Sequence, residues 1–153
     1  MRVSLVCVGR LARPCQPLWR HYEELLRPYV TIEVLEVPEE PLAHGLDRAR
    51  EKESAALLGL LRKGAYTVVL DARGRQYSSE EWSALLAERK LEGWSHFQFV
   101  LGGPAGVDER VLGAAHLVWS LSKLTFPHQL ARCLVAEQLY RALRIERGEP
   151  YHW

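Results

Sequence analysis

Cysteine is scarce in this chain of 153 residues, and so are the residue spacings that hold metals. The three cysteines, Cys7, Cys15 and Cys133, form no C-x-x-C pair and leave an odd count, which argues against a disulfide framework and a zinc site. The six histidines include no H-x-x-x-H pair. We therefore expect buried or inactive thiols and no bound metal.

Long apolar runs are missing as well. No stretch approaches the ~20 apolar residues that cross a bilayer. The opening segment, residues 1–9, is too short and too strand-like for a signal peptide. We expect a cytoplasmic protein with no membrane partner.

The chain also has no excess of charge of one sign. It carries 20 Lys and Arg against 19 Asp and Glu, which gives a formal net charge of +1. This balance excludes a protein that grips nucleic acid by bulk electrostatics. It is compatible with docking on folded RNA through local arginines and shape.

The common phosphate-binding and hydrolase motifs are absent. There is no G-x-x-x-x-G-K-[ST] loop and no G-x-S-x-G elbow, and the run Gly102-Gly103-Pro104-Ala105-Gly106 does not match G-x-G-x-x-G. The sequence therefore excludes a P-loop and gives no support for a dinucleotide fingerprint or a nucleophile elbow.

What the chain does contain is an alternation of apolar runs with amphipathic stretches, in one domain spanning residues 1–153. Strands are predicted at Arg2–Val8, Thr31–Val37, 66–70, 97–101 and 116–119. Helices are predicted at Gln16–Leu26, 46–62, Ser79–Leu91, 108–114 and about 128–144. Such alternation is typical of an α/β fold with a mostly parallel sheet and helices on both faces.

Two segments in the last third are typical of ligand-binding loops. The apolar run 97–101 ends in Gly102 and Gly103, and glycine lets a ligand approach the backbone closely. Residues 119–128 are denser in Ser and Thr than a plain helix. Both segments, like Leu70-Asp71, follow predicted strands, where ligands bind in parallel sheets. A backbone-lined pocket formed by three loops is predicted, and the alternative that these glycines only make tight turns stays open.

A set of ordered motifs carries a family resemblance. The motifs are Leu70-Asp71 with Gly74, the glycine run from Leu101 to Gly106, the segment 121–128, the segment 135–142 and Pro150-Tyr151-His152. Together they resemble the RlmH-type family of SPOUT methyltransferases, which act on a pseudouridine of large-subunit ribosomal RNA. The resemblance runs the whole length of the chain.

The resemblance implies a trefoil-knotted α/β fold, a homodimer and S-adenosyl-L-methionine as methyl donor. It also implies transfer to the N3 atom of a pseudouridine within the assembled ribosome. The donor-binding positions carried over from the family are Leu70, Gly102, Leu121, Ser122, Lys123, Leu124, Thr125 and Phe126. Apolar walls and free backbone groups at these positions suit an adenine ring, although Leu70 is equally expected as a core residue.

Methylation of N3 requires displacement of its weakly acidic proton toward an acceptor. The candidate groups are His128, Glu137, Tyr151 and His152, with Arg132 as a contact to RNA phosphate or the target base. Tyr151 and His152 are the strongest of these, because the family's tail reaches toward the active site and an aromatic there suits a splayed base. Trp153 is a further candidate for stacking on RNA. The alternatives are a capping role for His128 and an ion pair of Glu137 with Arg141.

Two other classes of function stay open. A catalytically silent ribosome-binding protein would not need the segment 121–126, and a donor-binding titration distinguishes it. A flavodoxin-like enzyme would carry a glycine-rich loop after the first strand, where this chain has Arg10-Leu11-Ala12-Arg13-Pro14. That basic loop is interpreted either as an RNA-facing loop or as solvated charge.

Overall fold

The computed structural model describes residues 1–152. Five strands form one parallel sheet in this part of the chain, in the order β2-β1-β4-β3-β5. The strands are β1 (Arg2–Val8), β2 (Thr31–Val37), β3 (Tyr66–Arg75), β4 (His96–Leu101) and β5 (Leu117–Trp119). The predicted α/β class with a parallel sheet is confirmed.

Helices cover both faces of the sheet. They are α1 (Gln16–Leu26), α2 (Leu46–Leu60), α3 (Ser79–Leu91), α4 (Glu109–Gly113) and α5 (His128–Glu146), with short 3-10 turns at Arg13–Cys15 and Leu42–His44. Helices α1, α3 and α5 contribute to one apolar cluster, whereas α2 and α4 contribute to the other. Alternate residues of β1 enter the two clusters, Leu5 on the first side and Val6 on the second. Because β1 is buried on both faces, its sequence is a nearly continuous apolar run.

Local signals account for where the helices start. Ser78 caps α3 in a reciprocal pair with Glu81, whose backbone N–H donates to the Ser78 hydroxyl at 3.1 Å while its carboxylate accepts from the Ser78 N–H at 2.9 Å. Asp108 caps α4 by accepting from the backbone N–H groups of Arg110 and Val111. Pro127 precedes α5, and because it has no backbone N–H it leaves no donor without an acceptor at the helix start.

Several predicted boundaries are wrong. Strand β3 continues to Arg75 instead of ending at Leu70, with a register shift between these two residues opposite Trp119. Helix α2 ends at Leu60 rather than at 62, and α5 runs two residues beyond 144. The extension of β3 depends on Gly74: a Cβ there would lie 2.6 Å from the carbonyl carbon of Val118. Only a residue without a side chain lets β3 press against β5 at this point.

Candidate functional site

A cavity of about 790 Å³ opens at the carboxyl ends of β3, β4 and β5. It is lined by residues from three segments, within 70–73, 101–107 and 119–131. These are the three loops that the sequence predicted at this edge of the sheet. The volume and the mostly apolar lining are typical of a site for a small organic ligand.

A tight turn after β4 forms one wall of the cavity. The backbone N–H of Gly106 donates to the carbonyl of Gly103 at 2.9 Å and closes the turn. A Cβ on Gly102 would lie 2.9 Å from Cγ1 of Val107 and 3.0 Å from the carbonyl carbon of Gly106. Gly102 is therefore required by the packing of its own turn. The tight-turn explanation holds here, and because Gly102 also lines the cavity its role in ligand binding stays a prediction.

The segment after β5 forms the opposite wall. The Ser122 hydroxyl accepts from the N–H of Leu124 at 3.0 Å, and the Ser120 hydroxyl donates to the Ser122 carbonyl at the same distance. These bonds hold the segment in a loop. Of the predicted donor-binding residues, seven line the cavity: Leu70, Gly102, Leu121, Ser122, Leu124, Thr125 and Phe126. Lys123 is exposed and is not among the lining residues.

The third wall is a bulge of β3 between Leu70 and Arg75. Asp71 and Arg73 line the cavity from this bulge. Nε of Arg73 donates to Oδ1 of Asp71 at 2.9 Å and its Nη2 donates to Oδ2 at 3.1 Å. The hydrogen bonds from Arg73 hold the pKa of Asp71 below its usual value despite partial burial. Arg73 could not be selected from the sequence, because its place in the cavity follows from the bulge.

His128 is the first residue of α5 and lines the cavity. Burial lowers its pKa below the ordinary value, and the charge of Arg132 acts in the same direction. The ring is therefore neutral at pH 7 and retains one nitrogen that can accept a proton. One ring nitrogen lies 3.2 Å from the side-chain amide of Gln129. Of the acid-base candidates taken from the sequence, His128 is the one that lines the cavity.

Arg132 is an interior residue, with 2% of its surface exposed. It donates to Oε2 of Glu36 at 2.7 Å and to the carbonyl of Gly9 at 3.0 Å. The guanidinium of Arg132 therefore already has partners inside the protein, and its contact with RNA phosphate or the target base stays a prediction. Its role in the structure is to tie α5 to the ends of β1 and β2.

Gln129 was missed by the sequence analysis. Its side-chain amide donates to the carbonyl of Arg10 at 2.7 Å and accepts from the N–H of Ala12 at 2.8 Å. This pair of bonds fixes the basic loop after β1 to the first turn of α5. The loop therefore lies beside the cavity wall that contains His128.

The C-terminal tail does not meet the cavity within one protomer. Tyr151 packs edge-on against Tyr140 at 4.8 Å between ring centroids and donates to Oε1 of Glu137 at 3.1 Å. Tyr140 lies twelve positions after His128 on α5, which corresponds to about 18 Å along the helix axis. The four acid-base candidates therefore do not converge on one point in a single chain.

The tail is held by charged groups on α3 and α5. His152 lies 3.0 Å from Nη1 of Arg141 and 2.7 Å from Oε1 of Glu80. Arg141 also pairs with Glu137 at 2.6 Å, which confirms the ion pair considered as an alternative role for Glu137. Trp153 lies outside the described residues.

Residues 1–152 contain no group of three or more His, Cys, Asp or Glu that could hold a metal ion. In the same part of the chain, no helix is both long and apolar enough to cross a membrane.

Comparison with known proteins identifies the family. A family model described as a predicted SPOUT methyltransferase matches residues 1–152. The chain belongs to the SPOUT methyltransferase family. Its relatives in this family include proteins named ribosomal RNA large subunit methyltransferase H. The one from Pelotomaculum thermopropionicum is 45% identical over 157 residues, covering 99% of this chain and 98% of the relative. The one from Symbiobacterium thermophilum is 42% identical over 160 residues, covering 99% of both chains.

Two solved structures have a fold similar to that of this chain. A probable methyltransferase from Bordetella pertussis matches with a TM-score of 0.60 at 18% identity, over 92% of this chain and 93% of that one. A probable methylase family protein from Haemophilus influenzae matches with a TM-score of 0.52 at 13% identity, over 99% of this chain and 70% of that one. These two likenesses support the SPOUT fold, and the family membership rests on the sequence matches.

Proposed function

We propose that this SPOUT protein transfers a methyl group from S-adenosyl-L-methionine to N3 of a pseudouridine in large-subunit ribosomal RNA, within the assembled ribosome. The observation that supports it most is the match to relatives named ribosomal RNA large subunit methyltransferase H over nearly the whole chain. A ribosomal substrate also implies a cytoplasmic enzyme.

The cavity at the ends of β3, β4 and β5 suits the proposed donor. Leu121 and Phe126 offer apolar walls for a flat heterocycle, and the turn at Gly102 exposes backbone for the edge of that ring. When bound, S-adenosyl-L-methionine supplies a methyl group that is already activated on a sulfonium. The protein then needs to orient the two reactants and exclude water, without a covalent partner of its own.

The proton on N3 of the target is the remaining chemical task. His128 is neutral at pH 7, because burial lowers its pKa, and it lines the donor cavity. A neutral imidazole can accept the N3 proton as the methyl group is transferred. His128 is therefore the acid-base candidate that the geometry favours within one chain.

The basic loop after β1 is proposed to contact the RNA. Arg10 and Arg13 are exposed on this loop, and Gln129 fixes it next to the wall that contains His128. Arginines positioned by backbone contacts can bind phosphate groups without a large net charge on the protein.

A homodimer is part of the proposal, because the tail lies about 18 Å along α5 from His128 in its own chain. A second copy can bring its own Tyr151 and His152 to the cavity. Val135 and Leu139 of α5 are buried in the core of the protomer, at 0% and 1% exposure, and are not available to the interface. Sedimentation velocity at micromolar concentration tests this part, and a monomer would contradict it.

The experiment for the reaction is analysis of nucleosides by mass spectrometry. Ribosomes from a strain that lacks the corresponding enzyme are incubated with this protein and S-adenosyl-L-methionine, and their 23S RNA is digested. A new methylated pseudouridine supports the proposal. Methylation of another nucleoside alone, or no methylation at all, contradicts the proposal.

A further inference from the structure

One corner of the proposed donor cavity is charged. Among the lining residues of the described chain, Asp71 and Arg73 are the only Asp, Glu, Lys or Arg side chains. The rest of the lining is backbone, apolar or hydroxyl-bearing side chain and the ring of His128. The charged end of a ligand can therefore pair with a side chain of opposite charge at this corner of the cavity.

The bulge of β3 places both residues there. Leu70 and Arg75 both align with Trp119, so the residues between them leave the ladder. Gly74 lies directly against the carbonyl group of Val118, and this contact holds the C-terminal end of the bulge against β5. The side chains of Asp71 and Arg73 consequently belong to the cavity wall.

Arg73 is held in place by Asp71 and still has donors available. Asp71 binds the edge of the guanidinium formed by Nε and Nη2, and it also accepts from the Arg73 backbone N–H at 2.9 Å. The Asp71 side chain is 13% exposed, whereas that of Arg73 is 61% exposed. The other edge, between Nη1 and Nη2, has one long contact, at 3.4 Å from Nη1 to the exposed Glu109. A guanidinium has five N–H donors, so this edge can bind a second carboxylate.

There is also room beside this edge. A smaller cavity of about 360 Å³ adjoins the first and shares Asp71, Arg73, Gly106 and Val107 with it. Arg73 therefore stands where the two cavities meet. A short charged chain can extend past it without displacing the apolar walls.

We propose that Arg73 binds the α-carboxylate of the methionine portion of the donor and that Asp71 positions it. The inference rests on the proposed function, since it takes S-adenosyl-L-methionine as the ligand of this cavity. In this assignment, Arg73 makes the protein bind adenosine derivatives that carry an aminocarboxylate more tightly than those that lack it.

Two donor analogues isolate this contact. S-adenosylhomocysteine carries the aminocarboxylate, whereas 5′-methylthioadenosine keeps the adenosine and sulfur and lacks it. Calorimetry on the full chain gives the Kd of each. Arg73→Gln should weaken binding of S-adenosylhomocysteine about tenfold, as expected for loss of a partly exposed charge-assisted contact. Binding of 5′-methylthioadenosine should stay within about twofold of the unmodified protein.

The chain contains a matched control. Arg110 pairs with Asp108, again two positions earlier, through Nε at 3.0 Å and Nη2 at 2.7 Å. Its side chain is 52% exposed, and it lines neither cavity. Arg110→Gln should leave both Kd values unchanged. Arg73→Lys keeps the charge but loses the bidentate geometry, and it should give an intermediate loss for S-adenosylhomocysteine alone.

The possible outcomes distinguish the role proposed for Arg73 from the proposed function of the cavity as a donor site. Loss of the preference for S-adenosylhomocysteine in Arg73→Gln, with 5′-methylthioadenosine unaffected, supports the assignment. A retained preference, an equal loss for both ligands, or equal affinities in the unmodified protein would overturn it while leaving the donor cavity in place. If neither ligand binds the unmodified protein, the proposed function fails together with this inference.

Discussion

Gly102 lies so close to Gly106 that a Cβ on the first would be 3.0 Å from the carbonyl carbon of the second. The same Cβ would lie 2.9 Å from Cγ1 of Val107. The turn after β4 therefore has space for a ligand on its open side and no space for a side chain on its inner side. Sequence reasoning left two explanations open for this glycine, a close approach of the ligand or a tight turn, and the contacts that a Cβ would make show that the turn requires it.

The first prediction concerns this turn. Gly102→Val forces the backbone of Gly106 to move and so distorts one wall of the cavity. Affinity for S-adenosylhomocysteine should fall tenfold or more, which is at least about 1.4 kcal/mol. The free energy of unfolding should fall by about 1–3 kcal/mol because of overpacking. Calorimetry and urea denaturation measure the two effects.

Gly59→Ala is the control for the Gly102 variant. Gly59 lies inside α2, and a Cβ there would meet nothing within 4 Å. The change should leave ligand affinity unaltered and raise stability slightly, by about 0.5–1 kcal/mol. Unchanged affinity in a folded Gly102→Val protein would remove this turn from the donor site.

The second prediction concerns the ion pair of Arg132 with Glu36. Arg132 is 2% exposed, whereas the Glu36 side chain is 35% exposed. Arg132→Met leaves Glu36 and the carbonyl of Gly9 without their partner, but water can reach the carboxylate. We expect a loss of about 2–3 kcal/mol in the free energy of unfolding, below the range for a fully buried pair.

Urea denaturation of Arg132→Met measures that loss. Arg27→Met is the comparison, because Arg27 is 67% exposed and forms a surface ion pair with Glu23. This change should cost less than about 0.5 kcal/mol. Equal effects of the two substitutions would show that the burial of Arg132 contributes nothing to stability.

The strands of the sheet could be predicted from local sequence, but the bulge in β3 could not. Residues 2–8 are mostly apolar and β-branched, as a parallel strand buried on both faces requires. Residues 31–37 are rich in the same residue types but include Glu33 and Glu36, and β2 is a partly exposed edge strand. The bulge before Gly74 depends on Val118, which lies 44 positions away in the sequence. No local pattern contains that contact, and the trefoil knot stays a prediction for the same reason.

The candidate site was predicted in part. Its loops follow from the rule that parallel sheets bind ligands at the carboxyl ends of strands. The position of the tail could not be inferred, because it depends on Glu80 and Glu137, which are distant from His152 and Tyr151 in the chain. The ion pair of Arg132 with Glu36 could not be inferred either, because the position of a residue on a helix does not reveal which neighbour from another element faces it.

The third prediction is a pH profile for methyl transfer. If His128 accepts the N3 proton, the rate should rise with pH as the ring loses its own proton and then level off. Because burial lowers the pKa of His128 below 6.5, the midpoint should lie below 6.5 and the rate should be flat around pH 7. Single-turnover rates with ribosomes at saturating donor measure this profile.

His128→Asn removes the titrating ring and should abolish the inflection, with a rate loss of about 100-fold. Its affinity for S-adenosylhomocysteine serves as the control for an intact cavity. A variant that keeps both the rate and the inflection would exclude His128 as the proton acceptor.

The fourth prediction concerns the tail. Deletion of residues 151–153 removes the hydrogen bond of Tyr151 to Glu137, its contact with Tyr140 and the contacts of His152 with charged groups on α3 and α5, so stability should fall by about 1–2 kcal/mol. Donor affinity should stay close to that of the full chain, since Tyr151 and His152 do not line the cavity. Methyl transfer to ribosomes should nevertheless collapse.

Single substitutions divide the roles within the tail. Tyr151→Phe should be mild if the ring only stacks on a base. His152→Ala should lower the rate by roughly 100-fold if the imidazole takes part in moving the N3 proton. Full activity of the truncated protein would assign the chemistry to residues outside the tail, with His128 first among them.

Transfer of labelled methyl groups shows whether this protein methylates large-subunit RNA within the assembled ribosome. Intact ribosomes and protein-free 23S RNA are incubated in parallel with the enzyme and labelled S-adenosyl-L-methionine. We expect label in the RNA of the ribosomes and none in the protein-free RNA. Label in neither sample, or equal label in both, would show that the protein lacks this activity or does not need the ribosome for it.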